Sequence, residues 1–298
     1  MSCIAKLDDR MSEPSNNAIF PSSLHDVIVT SPVMRFRHND ELPESADPQQ
    51  ENFATETAVA LMYNGISHTV LMCTAKHLED LAIGFSLSEG IIDHARDIHD
   101  ITLVNSAKGM ELHITLSNRC IERLKQVRRS MAGRTGCGIC GSESLDHVVR
   151  TLPSLAHTTI LPWQKIDGIL QQLNQRQLLN QITGATHAAA YVSSHGEVLA
   201  VREDIGRHIA LDKLVGHIVR NKLSGGAILV TSRASFEMVQ KTVSAGIEVL
   251  LAISAATSMA VELAQQSNLT LVGFCRPGRA DAYTYPERLI VKPESSVI

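Results

Sequence analysis

The sequence predicts a soluble α/β protein, on three observations. Apolar runs at 227–231, 249–254 and 269–274 alternate with helical segments at 236–245 and 258–266. The dipeptide Asn64-Gly65 separates two strand-like runs in the first half. The composition is that of a globular chain, 298 residues with 44% hydrophobic and 19% charged, long enough to bury a substantial core without disulfide or metal staples.

The elements follow in chain order. Residues 1–52 are rich in Ser, Pro, Asn, Asp, Glu and Gln around an apolar island at 27–29, so a mostly disordered segment is expected that pairs at most one strand. Runs at 57–63 and 66–73 form a hairpin, because Asn-Gly tolerates the positive φ of a tight turn. Leu78, Leu81, Ala82, Phe85 and Leu87 recur at helical spacing before Gly90, and a second hairpin is expected around Lys108-Gly109. A basic helix over 119–131 then runs into a glycine-rich loop at 133–141. The organisation is therefore a small α+β unit over 53–145, ending in that loop, and an α/β unit over 146–298.

In the second unit, runs at 187–192 and 197–201 around Ser194-His195-Gly196 make a hairpin that adds to the sheet. The β-α-β-α-β order that follows implies right-handed crossovers and a mostly parallel sheet covered by helices, with Gly246 and Asn268 where helix C-caps are needed.

Composition narrows the function classes. A net charge of -4 gives no global footprint for nucleic acid, and no apolar run approaches the length of a membrane span. The N-terminal residues lack an apolar targeting core, so a cytoplasmic location is expected. Six cysteines, four of them at the isolated positions 3, 73, 120 and 275, do not form a secreted disulfide framework.

Cys137 and Cys140 stand in Gly136-Cys137-Gly138-Ile139-Cys140-Gly141, downstream of Lys125, Arg128, Arg129 and Arg134. Glycine frees the backbone to expose the sulfurs, and positive charge favours the thiolate that attacks a persulfide donor. Structural zinc lacks a second ligand pair, inert burial does not suit so glycine-rich and basic a loop, and a thiol-disulfide oxidoreductase is the stronger alternative. A zinc deaminase does not fit, since Ala189 stands where His187 would need a following Glu.

The parallel strands end in Ser232-Arg233-Ala234-Ser235, in Ser254 to Ser258, and in Phe274-Cys275-Arg276-Pro277-Gly278-Arg279. Ligands of open α/β sheets sit beyond such ends, and hydroxyls, three arginines and helix N-termini suit a polyanion there. Ordinary helix caps with solvated arginines are the alternative. Arg202-Glu203-Asp204-Ile205-Gly206-Arg207-His208 precedes an apolar helix at 209–218, either as part of a site or as a turn capped by Asp204.

With GRTGCGICG at 133–141, REDIGRHIALDK at 202–213, SRASFEMVQK at 232–241 and LTLVGFCRPGRADAYTYPERL at 269–289 in view, the chain resembles the FdhD family of formate dehydrogenase accessory sulfurtransferases. The resemblance implies a three-layer α/β/α, cytidine deaminase-like second unit without zinc chemistry or a tightly bound metal. It implies that Cys137 carries persulfide sulfur from a cysteine desulfurase with Cys140 as its partner. The substrate would be the bis-molybdopterin guanine dinucleotide form of the molybdenum cofactor, held by residues 274–279 before insertion into formate dehydrogenase. A homodimer is a further family expectation. Where many members have Asn and Pro, this chain has Ile209 and Ala256, so those two positions are assigned no ligand contact.

Overall fold

The computed structural model describes residues 22–35, 48–132 and 152–290. Cys137 and Cys140, and most of the N-terminal segment expected to be disordered, lie outside these residues.

Within that segment, β1 (Ile28–Val33) pairs antiparallel with β2 (Gln49–Ala54), and Ile28 packs against Leu179 together with Leu24 and Val27 of the short 3-10 helix just before it. The first unit is a four-stranded sheet in the order β4-β3-β6-β5, built from β3 (Thr57–Tyr63), β4 (Ile66–Cys73), β5 (Ile98–Ser106) and β6 (Gly109–Leu116). Both expected hairpins form, and Asn64 and Gly65 take φ of 47° and 77° at the first turn. Alternate residues Val59, Leu61 and Tyr63 are fully buried, the period of a strand with one covered face. Helix α1 (Leu78–Ser88) covers that face, and α2 (Asn118–Ala132) follows β6.

The second unit is a six-stranded sheet in the order β12-β11-β10-β9-β7-β8. Its strands are β7 (His187–Val192), β8 (Val198–Asp204), β9 (Ala227–Val230), β10 (Val249–Ala252), β11 (Thr270–Arg276) and β12 (Arg279–Ala282). The central three are parallel, and β7, β8 and β12 run antiparallel to their neighbours. Helix α3 (Ile166–Arg176) packs Ile166, Ile169 and Leu173 on one face, and short α4 (Leu178–Thr183) follows it. Helices α5 (Arg207–Arg220), α6 (Phe236–Ser244) and α7 (Ser258–Gln266) cover the other, completing a three-layer α/β/α arrangement.

Two boundaries differ from the sequence expectation. β8 continues to Asp204, so Arg202, Glu203 and Asp204 pair with Ala189, Ala188 and His187 as strand residues. A charged stretch is ordinarily placed in a turn, but here each of these side chains has a partner that makes strand burial tolerable. The second difference is β12, which folds back on β11 through a turn where Gly278 takes φ of 74°.

The two units share one hydrophobic cluster, and α1 crosses α5 at glycines. A Cβ on Gly84 would lie 1.8 Å from the Asp212 carbonyl oxygen, and one on Gly216 would lie 1.9 Å from that of Asp80. Helix backbones this close exclude any side chain at the crossing. Ion pairs surround it. Asp204 and Lys213, both fully buried, meet at 2.6 Å, and Asp204 Oδ2 also accepts the Thr74 N–H and hydroxyl at 3.0 and 2.9 Å. Lys241 Nζ donates to both oxygens of Asp212 at 2.8 and 2.9 Å, and Arg202 donates through Nε and an Nη to Asp80 at 2.9 and 2.7 Å.

Candidate ligand site at the strand ends

Parallel strands point their carboxyl ends the same way, so the β9-α6, β10-α7 and β11-β12 connections emerge together. The ladder continues beyond the regular sheet: the Ala234 N–H donates to the Ala255 carbonyl and the Thr257 N–H to the Ala234 carbonyl, each at 3.0 Å. The Phe274 N–H donates to the Ser254 carbonyl at 3.1 Å, tying the third connection to the second. The three segments singled out in the sequence therefore form one edge. Helices α6 and α7 both begin there and direct their N-terminal N–H groups and positive dipole ends at it.

The two helix starts are satisfied differently. Thr257 caps α7, its hydroxyl accepting the Ala260 N–H at 3.3 Å. Ser235 occupies the same position for α6 in extended backbone, yet its buried hydroxyl has no partner among the described residues. Buried polar atoms in native proteins are nearly always paired, so this hydroxyl marks a place where another group completes the bonding.

The three arginines separate into two kinds. Arg233 and Arg276 are exposed, and neither meets a carboxylate among the described residues. Arg279 is already engaged: Nε and an Nη donate to the carboxylate of Asp281 at 3.1 and 2.6 Å, and its guanidinium lies 4.6 Å from the centre of the Phe274 ring. The hydrogen bonds from Arg279 hold the Asp281 carboxyl below its usual range. A planar cation over an aromatic face is a stable arrangement that also presents a flat outer surface.

Phe274 has φ of 48°, a left-handed conformation costly for a bulky residue, beside a register shift between β11 and β12. Strain of this kind persists where surrounding bonds enforce it and is concentrated at binding sites. Cys275 points the other way, into the core beneath the sheet, where burial pushes its thiol up to about 12. Only its main chain can face a ligand. Ser232 donates to the Arg233 carbonyl at 3.0 Å, and the Gly278 N–H is held by Asp167 of α3 at 3.0 and 3.2 Å, which fixes the turn containing Pro277.

The REDIGRHIALDK stretch divides between structure and site. Arg202, Asp204 and Lys213 belong to the seam between the units, and Glu203 accepts the N–H groups of Leu179 and Asn180 at 3.0 and 2.8 Å, capping α4. Arg207 and His208 instead open α5 beside the rim. His208 Nε2 lies 3.3 Å from an oxygen of Glu237 in the first turn of α6, and His187 Nδ1 lies 3.4 Å from the Thr231 hydroxyl. Burial holds both imidazoles below their ordinary pKa, with Arg207 adding to the effect. Arg207 and Glu237 are rim residues that the strand-end rule did not select; α5 follows β8, which is antiparallel to its neighbour β7 but points its carboxyl end to the same edge as β9. The charge density of residues 202–208 was the available signal.

The fold and the rim define a mixed α/β protein with an open, anion-suited edge on its larger sheet. The sequence profile of the FdhD/NarQ family matches residues 54–290, and the chain belongs to that family. In three dimensions it is similar to a crystal structure assigned to a formate dehydrogenase accessory protein from Desulfotalea psychrophila. The two agree with a TM-score of 0.68 and 22% identity over 89% of this chain and 100% of the other. At that identity the likeness establishes the fold.

Proposed function

We propose that this protein is a cytoplasmic accessory factor in formate dehydrogenase maturation, a sulfur carrier that delivers persulfide sulfur to the bis-molybdopterin guanine dinucleotide cofactor. Family membership and the accessory role assigned to the structural relative support the first part. The observation that carries the second is the rim itself, where Arg233, just before α6, and Arg276, at the end of β11, have no carboxylate partner among the described residues.

In this reading Cys137 is the nucleophile. Its thiolate attacks the terminal sulfur of a cysteine desulfurase persulfide, a sulfur–sulfur bond forms on Cys137, and the desulfurase thiolate leaves. Cys140 assists transfer or release. Arg233 and Arg276 hold the phosphates of a guanine-dinucleotide arm, the backbone of residues 274–279 lines the same edge, and Arg279 with Phe274 offers a stacking surface. The cofactor is cargo, and formate dehydrogenase receives it.

The test is intact mass after incubation with a cysteine desulfurase and cysteine, using wild type, Cys137→Ala and Cys140→Ala. The expected result is a reductant-labile gain of one sulfur that is lost in Cys137→Ala. A wild-type protein that gains no sulfur and only cycles between dithiol and disulfide would make it an oxidoreductase.

A further inference from the structure

Where α1 crosses α5, a histidine is held against a cation. Gly216 of α5 lies against the Asp80 carbonyl of α1, and the next residue, His217, brings its ring to within 3.9 Å of the Asp80 carboxylate. His217 Nδ1 lies 2.7 Å from an Nη of Arg202 and 3.1 Å from Nδ2 of Asn221. A guanidinium has no acceptor and neither has an amide nitrogen, so both neighbours donate. Nδ1 is therefore bare, and the single ring proton of neutral His217 sits on Nε2. The same Arg202 donates through Nε and that Nη to Asp80 Oδ2 at 2.9 and 2.7 Å. One guanidinium thus ties β8 to α1 and α5.

Among the described residues, the charged groups facing the ring are Arg202 from β8, Asp80 from α1 and Arg220 from its own helix. Glu79 of α1 meets Arg220 at 2.8 Å. His77, just before α1, faces Arg202 and Asp80 as well, and burial together with Arg202 and Lys76 lowers it to about 4. Burial, and then Arg202, hold His217 below its ordinary value.

We propose that His217 is a proton-operated latch on the join between the two units, closed while Nδ1 is bare and opened when it is protonated. In the closed state Nδ1 takes one Arg202 hydrogen bond and keeps the guanidinium against Asp80. A proton from solvent reaches the ring through a side chain that is 25% exposed. The new Nδ1–H then faces a donor, two cations stand where one hydrogen bond stood, and Arg202 withdraws from the crossing. The folded protein takes up this proton less readily than the unfolded chain. The latch therefore contributes its full stability above about pH 6.5 and loses it as the pH falls.

NMR of the histidine ring nitrogens in the full chain tests the assignment first. At about pH 8 His217 is expected to show a bare Nδ1 and a protonated Nε2, and on acidification to about pH 5 the Arg202 Nε–H signal should shift with the same midpoint as the ring. Hydrogen exchange then reads the join itself. Over the same range, amides in α1 and the last turn of α5 lose protection in wild type. In His217→Asn, whose side-chain oxygen accepts from Arg202 without titrating, that loss is abolished. A proton on Nδ1 at about pH 8, or an Arg202 signal indifferent to the titration of His217, overturns the proposal. An equal acid-induced loss of protection in His217→Asn overturns it too, because the loss then belongs to other groups. If that variant does not fold, the two wild-type signals decide the question.

Discussion

The seam between the two units and the rim at the strand ends are both rich in charge, and they treat it in opposite ways. In the seam the central ions meet their partners in a dry setting: Lys213 and Asp204 are fully buried, and Lys241 and Asp212 nearly so. At the rim, Arg233 and Arg276 are exposed with no carboxylate, and Ser235 keeps a buried hydroxyl without a partner, among the described residues. Saturated charge serves the fold, because each ion has paid its desolvation cost through fixed hydrogen bonds. Unsaturated charge serves a ligand, because its partner arrives from outside.

The largest expected effect comes from opening the seam. Lys213→Met removes the cation and leaves Asp204 buried, retaining only its bonds to Thr74 and Gly206. Unfolding in denaturant is expected to show a loss of about 3–5 kcal/mol, partly recovered by adding Asp204→Asn. Recovery of nothing would mean that the lysine stem, and not the pair, carries the stability.

Gly84→Ala tests the same boundary through shape alone. Its methyl group would have to occupy space 1.8 Å from the Asp212 carbonyl oxygen, so α1 and α5 must separate. Overpacking of this kind costs about 1–3 kcal/mol, and the thermal midpoint should fall accordingly. An unchanged midpoint would show that the two helices can slide.

The smallest expected stability effect is at the rim. Arg233→Ala with Arg276→Ala should change the unfolding free energy by no more than about 0.5 kcal/mol, since neither side chain holds another element. Binding of GDP should nevertheless be lost. A destabilised double variant would place these arginines with the seam and erase the contrast.

Legibility in the sequence followed the range of the interaction. The Asn64-Gly65 hairpin, α1, the three parallel strands, α6 and α7 are set by local periodicity and turn chemistry, and they formed where expected. Helix α3 was not read from the sequence, although Ile166, Ile169 and Leu173 stand at helical spacing, because no cap residue marks its start. Of the rim, Arg233, Arg276 and the Ser254 to Thr257 segment were legible because strand ends gather polar residues. The engagement of Arg279 by Asp281 and the burial of Cys275 were not, since both depend on β12 folding back across the edge.

The sequence by itself determined the α/β class, the order of the elements and the edge on which polar loops collect. All three follow from hydrophobic period, from glycine and asparagine at turns, and from the handedness of β-α-β connections. Only the tertiary structure decided how the charged residues were divided. Arg202, Asp204 and Lys213 became anchors to Asp80 and Thr74, more than 100 positions away in the chain, while Arg207, His208 and Glu237 came together beside the rim. A charged side chain carries no mark of its partner, and whether it is saturated depends on which distant groups the packing brings within about 3 Å.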